Sequence, residues 1–240
     1  MMDNASSSAT LEALARWMDQ AHGCPICHYK RMSGHGFLDS LLYESVNDFG
    51  LRRQLTQSLG FCALHSREML LFPGAKLGAA ILEQAMLKEA LRRIEVSKPA
   101  SRRSLLGGRG RRGGDPSKHK SCPICLHEQE AEQRALEELL SHWDDAWAAS
   151  LEKAGGLCYN HLTQALRLSS SETTNQQLKA LHQRLWRELV AHLDEFIRKQ
   201  DYRFRHEPIH DEEREAIQRA VRILTGEDDA PDVQHLHRSS

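Results

Sequence analysis

The chain has 240 residues and a net charge of −1, with 27% charged and 40% hydrophobic side chains. That is enough chain to bury a core, as one domain or as two small ones. No apolar run approaches the roughly 20 residues that span a bilayer, so a membrane-embedded role is not expected. Met1 to Ala9 is polar and serine-rich, without the basic start and apolar stretch of a secretory signal. The expected location is the cytoplasm, where thiols stay reduced and the six cysteines are not expected as disulfides.

Apolar residues recur at helical spacing along almost the whole chain. Residues 1–9 are expected to be disordered. Thr10 can cap a short helix carrying Leu11, Leu14, Ala15 and Met18, ending near Gly23. After Cys24-Pro25-Ile26-Cys27, the set Phe37, Leu38, Leu41, Leu42 and Val46 marks the next helix. Asn47 or Asp48 restarts a helix through Leu51, Leu55 and Leu59 that stops at Gly60. Cys62 and His65 open another, which Pro73-Gly74 ends, and residues 75–96 form the clearest helix of this half.

Composition then changes abruptly. Residues 97–121 hold eight basic side chains against the single acid Asp115, so this segment is +7 and the remainder −8. It reads as a basic Gly/Arg/Ser-rich linker without order of its own. Beyond it the first half's order recurs. Cys122-Pro123-Ile124-Cys125 opens a helix with Leu136, Leu139 and Leu140, and a further helix ends at Gly155-Gly156. Cys158 and His161 open the next, a long helix runs over about 174–199, and a last one over 212–224. No strand pattern is present. The fold class is all-α, a duplicated helical unit: a first repeat at 10–96, a second at 122–225, and a disordered tail at 226–240.

All six cysteines fall in one pattern that occurs twice. Cys24 and Cys27 are followed by Cys62 and His65; Cys122 and Cys125 are followed by Cys158 and His161. Each copy supplies three thiols and one imidazole, the four donors of a tetrahedral metal. Cys-x-x-Cys puts two sulfurs on one turn, and Cys-x-x-His at a helix start puts both donors on one face. Helix N-termini also aim N–H groups at the thiolates, which favours the metal-binding form. Each copy is expected to be pinned by its own Cys3His site, because shorter loops cost less entropy to close. The swapped arrangement joins Cys24 and Cys27 to Cys158 and His161, with the reciprocal set from Cys62, His65, Cys122 and Cys125. Two zinc ions are the leading cofactor, with two iron–sulfur clusters as the alternative.

A closed four-donor shell argues for structure over catalysis, so an enzyme is not expected. Glu128 and Glu130 lie near the second Cys pair but have no counterpart in the first copy. Cys24 to His28 also matches a c-type haem attachment pattern, yet Leu126 replaces the histidine in the second copy. A thioredoxin-like redox pair needs a βαβ scaffold that the pattern lacks. His22, His28, His119 and His127 flank the Cys pairs and read as surface residues. Trp143, Trp147 and Trp186 read as packing. Arg198, Lys199 and Arg203 could offer donors to a small anionic ligand, although the preferred account is that Tyr202 and Phe204 seal the core while Asp201 pairs with a nearby arginine. The partner is thus a protein or a small anion, and nucleic acid through the linker is not favoured.

The Cys-Pro-x-Cys start, Leu41-Leu42-Tyr43-Glu44-Ser45-Val46-Asn47-Asp48, the two Gly-Phe/Leu-Cys-x-x-His elements and the block Phe196-Ile-Arg-Lys-x-Asp-Tyr-Arg-Phe204 resemble an uncharacterised bacterial family of helical proteins, a domain of unknown function. The resemblance spans roughly residues 20–226 and implies no activity. It does imply that the Asp201–Phe204 block matters beyond packing.

Overall fold

A computed structural model describes residues 3–20, 23–72, 74–96 and 122–226. The basic linker 97–121, most of the expected tail, His22 and Pro73 lie outside the described residues. Ten helices and no strand are found among the described residues: α1 Asp3–Gln20, α2 Pro25–Tyr43, α3 Phe49–Ser58, α4 Ala63–Met69, α5 Lys76–Val96, α6 Pro123–Ser141, α7 Asp145–Ala154, α8 Tyr159–Leu168, α9 Glu172–Lys199 and α10 Asp211–Thr225. The helices from the two Cys-x-x-Cys motifs onward run in the order α2–α3–α4–α5 and α6–α7–α8–α9. Both Cys-x-x-Cys helices have 19 residues, and each is followed by a helix of 10.

Local chemistry sets the helix ends. Asp48 accepts from the Leu51 N–H at 2.7 Å and caps α3, and Asp144 does the same for α7 from Trp147 at 2.8 Å. α7 closes on Gly155 in the left-handed region. Two boundaries differ from expectation. α4 ends at Met69, ahead of Pro73-Gly74. α1 begins at Asp3 rather than at Thr10, so most of the segment expected to be disordered is helical. Its serines are poor but tolerable helix formers, and Ser8 bonds Glu12 one turn on. Thr10 is not a cap but a buried helical residue, 3.0 Å from the Tyr29 hydroxyl.

The chain divides into two compact units that do not coincide with the two repeats. One comprises residues 1–31 and 131–240, the other residues 32–130. In the first unit α1 packs on α7, and α9 packs on α7, α8 and α10. Leu14, Met18, Ile26, Leu136, Leu139, Leu151, Leu157 and Leu178 are buried there, with Trp143, Trp147 and Trp186 packed against them. In the second unit Leu38, Leu41, Leu42, Leu55, Phe61, Met69, Leu82, Met86 and Ile124 form the core, and α3 packs on α5.

The conspicuous block at the end of α9 is internally paired. The Lys199 ammonium is buried and donates to the Pro208 carbonyl at 2.9 Å and to Glu213 at 2.5 Å. Arg198 pairs with Glu195 and Glu207, and Arg203 with Asp201 at 2.7 Å. These three cations are engaged in internal ion pairs, Arg203 with Asp201 as expected, but Tyr202 does not seal the core: it is 79% exposed.

Two candidate metal centres at helix starts

Each of the four motif halves uses the same local device. A cysteine stands immediately before the first helical residue, and the second donor lies three residues on, inside the first turn. Cys62 and Cys158 cap α4 and α8, and Cys24 and Cys122 precede Pro25 and Pro123, the first residues of α2 and α6. Proline suits that position because its missing N–H would have had no helical partner. In all four, the capping cysteine's carbonyl accepts the first helical hydrogen bond, at 2.9–3.2 Å. Cysteine side chains are thereby held at the positive end of a helix dipole.

The halves meet across the repeats. Cys24 and Cys27 join Cys158 and His161 in the first unit, and Cys62 and His65 join Cys122 and Cys125 in the second. All eight expected donors are gathered into two sets of four, but the within-repeat pairing is overturned. Loop entropy discriminates only weakly between the pairings, because closing a loop costs only about 0.6 kcal/mol more for each doubling of length. Donor separations of 63 and 131 residues therefore cost little beyond those available within one repeat, and helix packing decides.

Within each set the donor atoms all lie within 4.8 Å of one another. In the first, His161 Nδ1 is 3.3 Å from the sulfurs of Cys24 and Cys27 and 3.2 Å from that of Cys158, and Cys27 and Cys158 are 3.7 Å apart. In the second, His65 Nδ1 is 3.3–3.5 Å from its three sulfurs, and Cys62 and Cys125 are 3.7 Å apart. All donors are buried except Cys125, which is half-buried. Such sets can hold metal ions.

Both histidines turn their second nitrogen to a carboxylate. His161 Nε2 lies 3.1 Å from Glu132, and His65 Nε2 lies 3.2 Å from Glu128. A carboxylate behind a ligating imidazole fixes its orientation and raises its basicity. Glu132 is itself held by Lys30 at 2.6 Å and Gln164 at 2.9 Å. Despite burial, the bonds to His161, Lys30 and Gln164 hold its carboxyl down at about 2. Glu128 fits because Gly34 faces it: a Cβ there would fall 2.5 Å from its Oε1.

The donors' charges are linked. Burial opposes protonation of His161, but Cys158, Cys24 and Glu132 outweigh it and push the imidazole up to about 11. Cys158 is correspondingly driven far below the thiol range by bonds to Cys24 and Cys27, while Cys27 is driven up by its bond to Cys158. In the second unit, burial of His65 is outweighed by Cys122 and Glu128, which raise it to about 10. Burial works against ionisation of Cys122, yet His65 and backbone donors bring its thiol to about 7, and burial raises Cys125.

Sequence reasoning passed over several contributors. Glu128 was noted without this role, while Glu132, Lys30, Gly34 and His182 were not singled out. Glu128 and Glu132 lie three and seven residues after Cys125, a helical-face spacing that could have flagged them. His182 is buried; its Nε2 accepts from the Leu157 N–H at 2.7 Å and its Nδ1 donates to the Leu178 carbonyl at 2.7 Å. It thus steadies the turn that presents Cys158. Of the flanking histidines, His28 stacks on Trp17 with centroids 3.4 Å apart, and His127 stacks on Phe37 and lies 2.9 Å from Ser33. His119 is outside the described residues.

The motif, the helical order and the paired sets can be set against known proteins. The model of a family of unknown function, DUF6062, matches residues 12–231. The chain belongs to this family. It is also similar to the "uncharacterized 23.9 kDa protein in xynA 3'region" of Caldicellulosiruptor sp. (strain Rt8B.4), with 27% identity over 206 residues covering 85% of this chain and 95% of that protein. No solved structure matches. No helix among the described residues is long and apolar enough to cross a membrane.

Proposed function

We propose that the protein is a cytoplasmic helical scaffold or binding module held together by two structural zinc ions. The observation that carries this reading is the spacing of the donors. With zinc–sulfur bonds of about 2.3 Å, a tetrahedral ion sets its sulfurs about 3.8 Å apart, close to the 3.7 Å found in both sets. A cluster spreads its cysteines over several irons and needs wider spacing, so the 4.8 Å limit within each set supports a single ion. Three thiolates and a histidine fill the shell, which fits a structural more than a catalytic ion. Six cysteines engaged in these sets, with no disulfide among the described residues, suit a reducing compartment.

Elemental analysis of protein purified without added metal tests this directly. Two zinc per chain and a colourless solution are expected. A brown protein carrying iron and acid-labile sulfide would overturn zinc in favour of clusters. Metal content near zero, with an unchanged melting temperature in Cys24→Ser and Cys122→Ser, would defeat both.

A further inference from the structure

α5 lies in the second unit and has two faces of the same apolar character. One, formed by Gly78, Ala79, Leu82 and Met86, is buried in the core. On the other, Leu77, Leu87, Leu91 and Ile94 are 73%, 62%, 58% and 69% exposed. At 100° per residue, this second set centres well over a quarter-turn from the buried one, pointing away from the core. A helix that buries only one stripe should be polar on the opposite side. Four large aliphatic side chains exposed by more than half along one line indicate an interaction surface.

The spacing says what kind of surface. Leu77, Ala80, Gln84, Leu87, Leu91 and Ile94 follow one another at three, four, three, four and three residues. That is three heptads of a coiled-coil seam, with Leu77, Gln84 and Leu91 at the a positions and Ala80, Leu87 and Ile94 at d. Ala80 and Gln84 are exposed as well, so the seam is accessible along its length. A single polar residue at an a position is the usual device for fixing register at some cost in stability. Gln84 occupies that place.

Charge then chooses the occupant. Glu83 stands at a g position and Lys88 at the following e position, five residues on. In a parallel two-stranded coiled coil, these are the positions that face each other across the seam. Two copies of α5 would therefore form two symmetric Glu83–Lys88 pairs. An antiparallel pair with Leu77 across from Ile94 sets Glu83 beside Ala90 and Lys88 beside Ile81, and the match is lost. We propose that α5 pairs with α5 of a second copy of this chain as a short parallel coiled coil, making the protein a homodimer. Because the helix is already folded on its own core, pairing does not have to fix its backbone, which favours association of so short a seam. The proposal is independent of which metal the sites hold.

Light scattering and sedimentation equilibrium on the full, metal-loaded chain test it. A concentration-dependent dimer is expected at micromolar to tens of micromolar chain, on the order of weak two-fold interfaces. Leu87→Glu with Leu91→Glu should weaken it at least about tenfold while leaving helicity and metal content unchanged, since both side chains are exposed. Glu83→Lys alone should weaken it, and adding Lys88→Glu should restore it. A chain that stays monomeric at about 100 μM would overturn the proposal, as would a dimer indifferent to the Leu87/Leu91 variant. Loss of the dimer in that variant, without any effect of Glu83→Lys or its rescue, would overturn the parallel arrangement.

Discussion

The two donor sets are built to one plan and embedded differently. In the first unit all four donors are buried, and the carboxylate behind the histidine is anchored by Lys30 and Gln164. In the second, Cys125 reaches solvent, and Glu128 shares the space around His65 Nε2 with Glu68 at 3.7 Å. Each set pairs one thiol that ionises readily with one that resists it, Cys158 with Cys27 in the first and Cys122 with Cys125 in the second. Identical donors therefore do not imply identical sites. What surrounds the shell sets how firmly, and over what pH range, it holds a cation.

The largest expected effect separates the units outright. Cys158→Ser should lower metal content from two to one per chain and selectively destabilise the first unit. A structural zinc contributes on the order of 10 kcal/mol, and each kcal/mol moves the melting temperature by about 2–4 °C in a chain of this size. A fall of more than about 10 °C in that unit's transition, followed by calorimetry, is expected. Cys125→Ser should do the same to the second unit and leave the first in place.

Acid should then rank the two sites. Metal binding requires unprotonated donors, so affinity falls with pH at both. Cys125 is the one donor of the eight that is not buried, so the second site should give up its ion to acid and chelator first. Titration with a chromogenic chelator between pH 8 and 6 should remove one equivalent ahead of the other, and Cys125 should be the first thiol alkylated. Release of both equivalents together would show that the surroundings do not matter.

Replacing the outer carboxylates is a finer probe. Glu132→Gln and Glu128→Gln should each weaken only their own site, by about 10–100-fold, read by competition with a chelator. Glu132→Gln also weakens the contacts to Lys30 and Gln164 that anchor this side chain and should be the more costly of the two. The smallest effects come from two glycines. Gly34→Ala should displace Glu128 and destabilise the second unit by about 1–3 kcal/mol. Gly156→Ala has a similar expected cost in the first, because Gly156 has φ of +88° and a Cβ would lie 3.0 Å from His182 Nε2. Chemical denaturation checks both.

Much of this was legible in the residues. The cap at Asp48, the left-handed stop after α7 and the boundaries of α5, α9 and α10 follow from short-range rules that act within a turn or two of helix. The donor identities follow from Cys-x-x-Cys and Cys-x-x-His, whose spacing acts within one turn as well. What could not be read was which half-site meets which, because that is decided by how helices pack over separations of 63 and 131 residues. Loop entropy discriminates weakly there, so it pointed the wrong way without a large penalty. The paired state of Arg198, Lys199 and Arg203 illustrates the same point at closer range. Asp201 lies next to them in sequence, but the buried partner Glu213 comes from the following helix.

The swapped pairing also orders events in time. The second unit is a continuous stretch, residues 32–130, and its donors end at Cys125. The first unit is discontinuous, and its set is complete only with His161. On a growing chain, Cys24 and Cys27 are made first yet wait longest, exposed as a reduced pair while the later-made site closes ahead of them. The earliest thiols to leave the ribosome are thus the last to be protected, and they are the ones a nascent chain would have to shield from oxidation or from a wrongly captured ion.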